Sequence, residues 1–129
     1  METGSTLRVL IADDERVIAD TLGVILRTNG YETQSVYSGE TAVAAALEMK
    51  PDILITDVVM GKMNGIEAAN LIHGQLPDCR IILFSGNAAT FDLLRKSRNE
   101  GQEFEMMTKP MHPAALLEQL TQRQTYATN

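Results

Sequence analysis

Acidic, hydroxyl and ammonium side chains stand at the ends of short apolar runs in four parts of the chain. They are Asp13 with Asp14, Asp57, Ser85 and Lys109. Two carboxylates about 5 Å apart repel each other by about 3 kcal/mol at an effective dielectric near 20. One ammonium cannot compensate three carboxylates, so a divalent cation is needed if they meet. Oxygen donors without cysteine favour a hard ion, and an open edge suits Mg²⁺.

A carboxylate beside Mg²⁺ and a lysine can attack a phosphoryl group and become an acyl phosphate. Asp57 is the best nucleophile candidate, because it stands alone after a wholly apolar run. Asp13 and Asp14 are adjacent and suit metal binding. The Ser85 hydroxyl could then donate a hydrogen bond to an oxygen of the phosphoryl group.

Apolar runs alternate with stretches of helical spacing along the chain. The strands are predicted at Leu7–Ala12, Glu32–Tyr37, Ile53–Thr56, Ile81–Phe84 and Glu103–Met107. The helices are predicted over Val17–Leu26, Thr41–Met49, Ile66–Ile72, Thr90–Asn99 and Pro113–Leu120. Ser38 is the predicted N-cap of the second helix and Asn64 that of the third. Five strand–helix units predict a mostly parallel α/β sheet covered on both faces. The polar residues would share its carboxyl edge, where such sheets bind ligands.

Length and composition fit a single globular domain. The chain has 129 residues, of which 11 are Lys or Arg and 17 are Asp or Glu, giving a net charge of −6. This charge argues against nucleic acid or an anionic membrane as the main partner. Cys79 is the single cysteine, which excludes an internal disulfide. We expect a domain over 7–122, a flexible segment at 1–6 and a frayed tail at 123–129.

These residues together resemble the receiver domain of two-component response regulators. The resemblance rests on Asp13-Asp14, the run from Asp57 to Gly65, Ser85-Gly86 and Lys109-Pro110, in this order. It covers roughly Leu7 to Gln122. It implies a doubly wound, flavodoxin-like three-layer sandwich, with five parallel strands in the order 2-1-3-4-5 and five helices.

The resemblance also implies a role for each residue. Asp57 would be the phosphoacceptor, and Ser85 and Lys109 would contact the phosphoryl group. The Mg²⁺ ligands would be Asp14, Asp57 and the backbone carbonyl of Val59, with Asp13 acting through water. The Lys109–Pro110 bond would be cis.

The implied partners are proteins. A sensor histidine kinase or a phosphotransfer protein would supply the phosphoryl group. The fourth helix, fifth strand and fifth helix would form the output face, for a downstream protein, a fused output domain or a homodimer.

The reaction is self-directed, so we do not expect a conventional enzyme. No apolar run is long enough for a membrane span and no signal peptide is visible, so we expect a cytoplasmic protein.

The chain departs from the family pattern at three places. Gly61 replaces the usual proline after the phosphoacceptor, and Met106 replaces the usual switch aromatic, with Phe104 expected in the core. The stretch from Ser85 to Lys109 is slightly long.

Val59 and Asn87 would flank the water that hydrolyses the acyl phosphate. Because Val59 is apolar, we predict a long-lived phosphorylated form.

Three alternatives remain open from the sequence. Asp13-Asp14 could be the N-cap of the first helix with its first-turn partner. The chain could be a phosphate-independent interaction domain in which the site is vestigial. It could also be an aspartate-dependent phosphohydrolase, although Val59 stands where such enzymes carry a second aspartate.

Overall fold

The computed structural model describes residues 6–86 and 104–122. Five strands lie within these residues: β1 (Arg8–Ala12), β2 (Glu32–Val36), β3 (Ile53–Asp57), β4 (Arg80–Ser85) and β5 (Glu105–Thr108). The same residues include four helices: α1 (Arg16–Thr28), α2 (Gly39–Met49), α3 (Gly65–Gln75) and α4 (Pro113–Thr121). The helix predicted at 90–99 lies outside the described residues, so α4 corresponds to the fifth predicted helix.

The strands form one parallel sheet in the order β2-β1-β3-β4-β5. The predicted doubly wound α/β fold and its strand order are therefore confirmed. Every residue of β3 and β4 is buried, as expected for central strands of a sheet with helices on both faces. β2 lies at an edge of the sheet and is largely exposed or half-buried.

Two layers of apolar side chains hold the helices to the sheet. Alternate strand residues point to opposite faces, so neighbours such as Leu10 and Ile11 belong to different layers. The layer beneath α2 and α3 includes Leu10, Ala46, Leu54, Ile72 and Leu83. The layer beneath α1 and α4 includes Ile11, Leu26, Ile55, Phe84 and Leu116.

The strand register brings the polar residues of the sequence to one edge. Ala12 pairs with Thr56, so Asp13 and Asp57 follow side by side. Ser85 pairs with Thr108, so Lys109 emerges next to the end of β4. The carboxyl edge of the sheet therefore brings together the polar residues that could take part in chemistry, as the alternation of strands and helices predicts.

The amino end of the sheet carries a separate polar network, which we call the amino-end clamp. Arg80 is 8% exposed and donates to the Glu105 carboxylate through Nε at 2.5 Å and Nη2 at 2.7 Å. Its Nη1 and Nη2 also donate to the carbonyls of Leu120 and Gln119, at 2.9 and 2.7 Å. The clamp joins β4, β5 and the last turn of α4.

Some predicted boundaries are wrong by one or two residues. Phe104 lies before β5 and Thr108 lies within it, because pairing with β4 runs from Ile82–Glu105 to Ser85–Thr108. α2 begins at Gly39, two residues before the predicted Thr41, although the predicted N-cap at Ser38 is confirmed. Among the helices of the described residues, none has the length and apolarity to cross a membrane.

Candidate functional site

Three carboxylates converge where β1 and β3 end. Asp13 and Asp14 directly follow β1, and Asp57 is the last residue of β3. One carboxylate oxygen from each lies within 4.8 Å of the other two. Asp13 is fully buried and Asp57 is 6% exposed, whereas Asp14 is exposed. The cluster is therefore buried at its base and open to solvent at Asp14.

Lys109 supplies the positive charge next to this cluster. Its Nζ lies 3.2 Å from Asp57 Oδ2, 3.3 Å from Asp13 Oδ2 and 3.8 Å from Glu15 Oε1. It also lies 5.1 Å from the centre of the Phe84 ring. Burial lowers the pKa of Lys109, but the charges of Asp57 and Asp13 outweigh this and the pKa is raised overall. The ammonium therefore remains charged.

Asp57 ionises with difficulty in this environment. Burial, followed by the negative charge of Asp13, raises its pKa from 3.8 to about 6. Lys109 and the backbone N–H of Val59, which hydrogen-bonds to the carboxylate, oppose the rise but do not cancel it. The positive charge of Lys109 is therefore too small to offset both burial and the negative charge of Asp13 when Asp57 is ionised.

The donor set fits a hard divalent cation. Four carboxylates, from Asp13, Asp14, Glu15 and Asp57, lie at this edge with one ammonium, so the local formal charge is 1 − 4 = −3. Carboxylate oxygens are the ligands that Mg²⁺ prefers. Both oxygens of Asp13 already have partners, since Oδ1 accepts from the Glu15 N–H at 2.9 Å and Oδ2 lies near Lys109.

The backbone after Asp57 is held close to the start of α3. Gly65 N–H donates to the Val58 carbonyl at 2.7 Å. A Cβ at Gly65 would lie 2.0 Å from the Asp57 carbonyl oxygen, so this close approach requires glycine. The Val59 side chain is 63% exposed and lies two residues beyond Asp57.

Ser85 lies at the same edge, at the end of β4, and is 2% exposed. Its carbonyl accepts a hydrogen bond from the Lys109 N–H at 3.0 Å, which fixes the end of β4 against the start of the next loop. The Lys109–Pro110 bond is cis, as the resemblance implies. The structure therefore brings together Asp13, Asp14, Asp57, Ser85 and Lys109 at one edge.

Met106, another predicted tuning residue, lies inside β5, two residues before its carboxyl end. Met106 pairs with Leu83 and packs in the layer beneath α2 and α3, as does Phe104. The Phe104 ring meets His73 edge-on, at 6.0 Å between centroids. Phe104 thus packs against the core, as predicted. Asn87 lies outside the described residues.

Glu15 is the acidic residue whose contact with the site the sequence analysis missed. α1 begins at Arg16 with Glu15 in the N-cap position, so the alternative that places the N-cap at Asp13-Asp14 is wrong. Instead, Glu15 turns back to within 3.8 Å of Lys109. The available signal was a third consecutive carboxylate directly after the first strand.

Comparisons with known proteins agree with this geometry. The family model described as the response regulator receiver domain matches residues 9–121. A receiver domain protein from Methanospirillum hungatei, solved by crystallography, has a TM-score of 0.83 and 27% sequence identity. That match covers 92% of this chain and 94% of the other.

Two curated relatives are transcriptional regulators by name. The probable transcriptional regulatory protein TcrX of Mycobacterium tuberculosis is 28% identical over 107 residues, covering 83% of this chain and 45% of the relative. The DNA-binding response regulator MtrA of Mycolicibacterium smegmatis is 26% identical over 116 residues, covering 90% and 50%. The chain thus spans about half the length of these curated relatives.

Proposed function

This chain belongs to the response regulator receiver domain family, and from that membership we propose that it is a phosphoacceptor switch of a two-component phosphorelay. Asp57 accepts a phosphoryl group from the phosphohistidine of a sensor kinase or of a phosphotransfer protein. The phosphorylated form then presents a changed surface to a partner. The reaction is self-directed, so the chain is not a conventional enzyme.

The observation that carries this proposal is the position of the Lys109 ammonium between two buried carboxylates. It lies 3.2 Å from Asp57 and 3.3 Å from Asp13. An ammonium in this place can neutralise charge on a phosphoryl group arriving at Asp57. The excess of carboxylates around it supports a site for Mg²⁺ at the same edge.

The proposed transfer is a displacement at phosphorus. A carboxylate oxygen of Asp57 attacks the phosphorus of phosphohistidine and forms a P–O bond. The P–N bond breaks, its electron pair stays on the imidazole nitrogen, and that nitrogen takes up a proton from water. Asp57 leaves the reaction as an acyl phosphate.

The surrounding residues orient the reactants and balance their charge. The ligands proposed for Mg²⁺ are Asp14, Asp57 and the Val59 carbonyl, with Asp13 acting through water. When bound, the ion would neutralise negative charge on the phosphoryl oxygens. Lys109 holds the phosphoryl group by its ammonium, and the Ser85 hydroxyl donates a hydrogen bond to a phosphoryl oxygen.

The output of the switch is a second part of the proposal. The relatives TcrX and MtrA carry names of transcriptional regulation and DNA binding, and this chain matches about half of each. We therefore propose that the receiver acts through a fused output domain or a separate downstream protein, in the cytoplasm. We propose that the surface containing β5 and α4 binds the partner. The same surface could join two copies of this chain.

Intact mass measurement tests the central claim. Incubated with acetyl phosphate and Mg²⁺, the wild-type chain should gain the mass of one phosphoryl group. Asp57→Asn should gain none, whereas Asp78→Asn, at an exposed aspartate before β4, should react like the wild type. A wild type that never gains this mass with any donor, or an Asp57→Asn variant that gains it equally, would contradict the proposal.

Beryllofluoride distinguishes the switch from a phosphate-independent interaction domain. Together with Mg²⁺, it should shift the amide resonances of Asp57 and Lys109 if the site accepts phosphoryl groups. An unchanged spectrum would favour the interaction domain. Turnover of a generic phosphate ester would instead favour a phosphohydrolase.

A further inference from the structure

The first residue of α2 presses against the loop that follows Asp57. Gly39 is buried, and a Cβ built on it would lie 2.5 Å from the Met63 carbonyl oxygen and 2.8 Å from Met63 Cβ. Such distances are far below van der Waals contact. Any other residue at position 39 must therefore displace either α2 or the Met63 backbone.

α2 is poorly placed to yield to such a displacement. Its N-cap residue Ser38 accepts a hydrogen bond from the Thr41 N–H at 3.1 Å, which fixes the first turn. Ala42 and Ala46 are fully buried against the sheet. Moving the helix would open gaps in a packed core, so the displacement falls on the loop.

The loop of residues 58–64 is anchored at both ends. At its start, the Val58 carbonyl accepts from Gly65 N–H at 2.7 Å. At its end, Asn64 and Glu67 form a reciprocal capping box at the first turn of α3. Gly61, with φ of +31°, lies between these anchors, and Met63 directly precedes the second one. A displacement of Met63 must therefore be absorbed by the loop residues between the two anchors.

We infer that Gly39 is a positioning residue for the magnesium site, an inference that rests on the proposed function. Val59 lies in this loop, and its N–H hydrogen-bonds to the Asp57 carboxylate. Its carbonyl is one of the ligands proposed for Mg²⁺. By letting α2 contact the Met63 backbone without a side chain, Gly39 holds Val59 in place beside Asp57.

Two glycine substitutions in helices form a matched test. Gly39→Ala and Gly74→Ala each add one methyl group. At Gly74, no atom lies within 4 Å of the added carbon apart from the adjacent residues and the backbone of the same helix. A Mg²⁺ titration followed by amide chemical shifts should give Gly39→Ala about 10-fold weaker binding, a typical loss for a residue that supports a metal ligand. Gly74→Ala should bind like the wild type, and circular dichroism checks that both fold.

The outcomes separate this inference from the proposed function. A wild type that binds no Mg²⁺ would remove the magnesium site itself. A wild type that binds, together with Gly39→Ala of equal affinity, would overturn the role of Gly39 alone. Met63→Ala retains the backbone carbonyl and should keep wild-type affinity, and a 10-fold loss in it would also overturn the inference.

A measurement on the wild type decides the matter if Gly39→Ala does not fold. Mg²⁺ should shift the amide resonances of Gly39 and Met63, because the loop connects them to the site. The amide of Gly74 should not move. An unshifted Gly39 resonance at saturating Mg²⁺ would overturn the inference.

Discussion

The two ends of the sheet treat charge in opposite ways. In the amino-end clamp, the Arg80 side chain is 6% exposed and its donors reach the Glu105 carboxylate and two carbonyls of α4. At the carboxyl edge, the Lys109 ammonium is divided between Asp57 and Asp13, and negative charge remains in excess. One end is balanced by its own residues, and the other is not.

This difference separates a structural role from a responsive one. A balanced network favours a single arrangement, and here it joins β4 and β5 to α4. An unbalanced cluster of carboxylates destabilises the folded chain. A bound cation would relieve this destabilisation. Shifted pKa values are therefore expected at the carboxyl edge, and the pKa of Asp57 there is raised.

Removing the guanidinium of the amino-end clamp should have the largest effect on stability. Arg80→Met removes the guanidinium donor from two carbonyls of α4 and from Glu105, which retains the Gln119 Nε2 donor at 3.2 Å. We expect a loss of about 3 kcal/mol in the free energy of unfolding. Urea denaturation measures it. The control is Arg8→Met, which breaks a more exposed contact with Glu32 at 3.6 Å and should cost about 0.5 kcal/mol. Equal losses in the two variants would erase the contrast between buried and exposed pairs.

Asp57→Asn should change stability in the opposite direction. Because the folded-state pKa of Asp57 is about 6, above its ordinary 3.8, the folded chain binds more protons than the unfolded chain between these values. Wild-type stability therefore falls as pH rises through this window and stays low above it. Without metal, Asp57→Asn should be more stable by about 1–3 kcal/mol above pH 6 and should converge with the wild type near pH 4.

Urea denaturation at a series of pH values, with a chelator present, measures this difference. Asp78→Asn serves as a control for the removal of an exposed carboxylate. A constant offset between Asp57→Asn and the wild type across the window would contradict the assigned cause.

Mg²⁺ should narrow the stability difference between these two proteins. At ten times its dissociation constant, the ion should stabilise the wild type by about 1.4 kcal/mol, because it binds the folded state. Asp57→Asn lacks one carboxylate ligand and should gain less. Thermal unfolding with and without Mg²⁺ gives the comparison, and equal gains would place the ion elsewhere.

The substitution Val59→Asn should have the smallest effect, a shorter lifetime of phosphorylated Asp57. Val59 is exposed and apolar, so it offers no hydrogen bond to a water approaching the acyl phosphate. Val59→Asn adds such a partner, and about 1 kcal/mol from one hydrogen bond would speed hydrolysis about fivefold. The decay of the phosphorylated mass with time measures the rate, with Val24→Asn on α1 as the control. An unchanged rate would remove Val59 from the tuning of this reaction.

The sequence predicted the site better than the contacts that support it. Asp57 and Asp13 each end an apolar run, and parallel strands bring such ends together whatever the side-chain details. Contacts between distant segments leave no such pattern, so the approach of Gly39 to Met63 and the pairing of Arg80 with Glu105 were not predicted. Both depend on how the helices pack in three dimensions.

Element types were also easier to predict than element ends. Short apolar runs identified the strands, but pairing with neighbouring strands decides where each one stops. β5 therefore lies at Glu105–Thr108, although the apolar pattern placed it earlier. The N-cap of α1 was missed for a related reason, since Asp13 faces Lys109 instead of starting the helix.

The polar character of β2 has a consequence for the behaviour of the chain at high concentration. β2 forms one border of the sheet, and its backbone could in principle pair with a strand of another molecule. Glu32, Thr33 and Gln34 place a charge and hydrophilic groups along this border. Strand-to-strand aggregation is thereby discouraged on that side, so contacts between copies are directed to other surfaces.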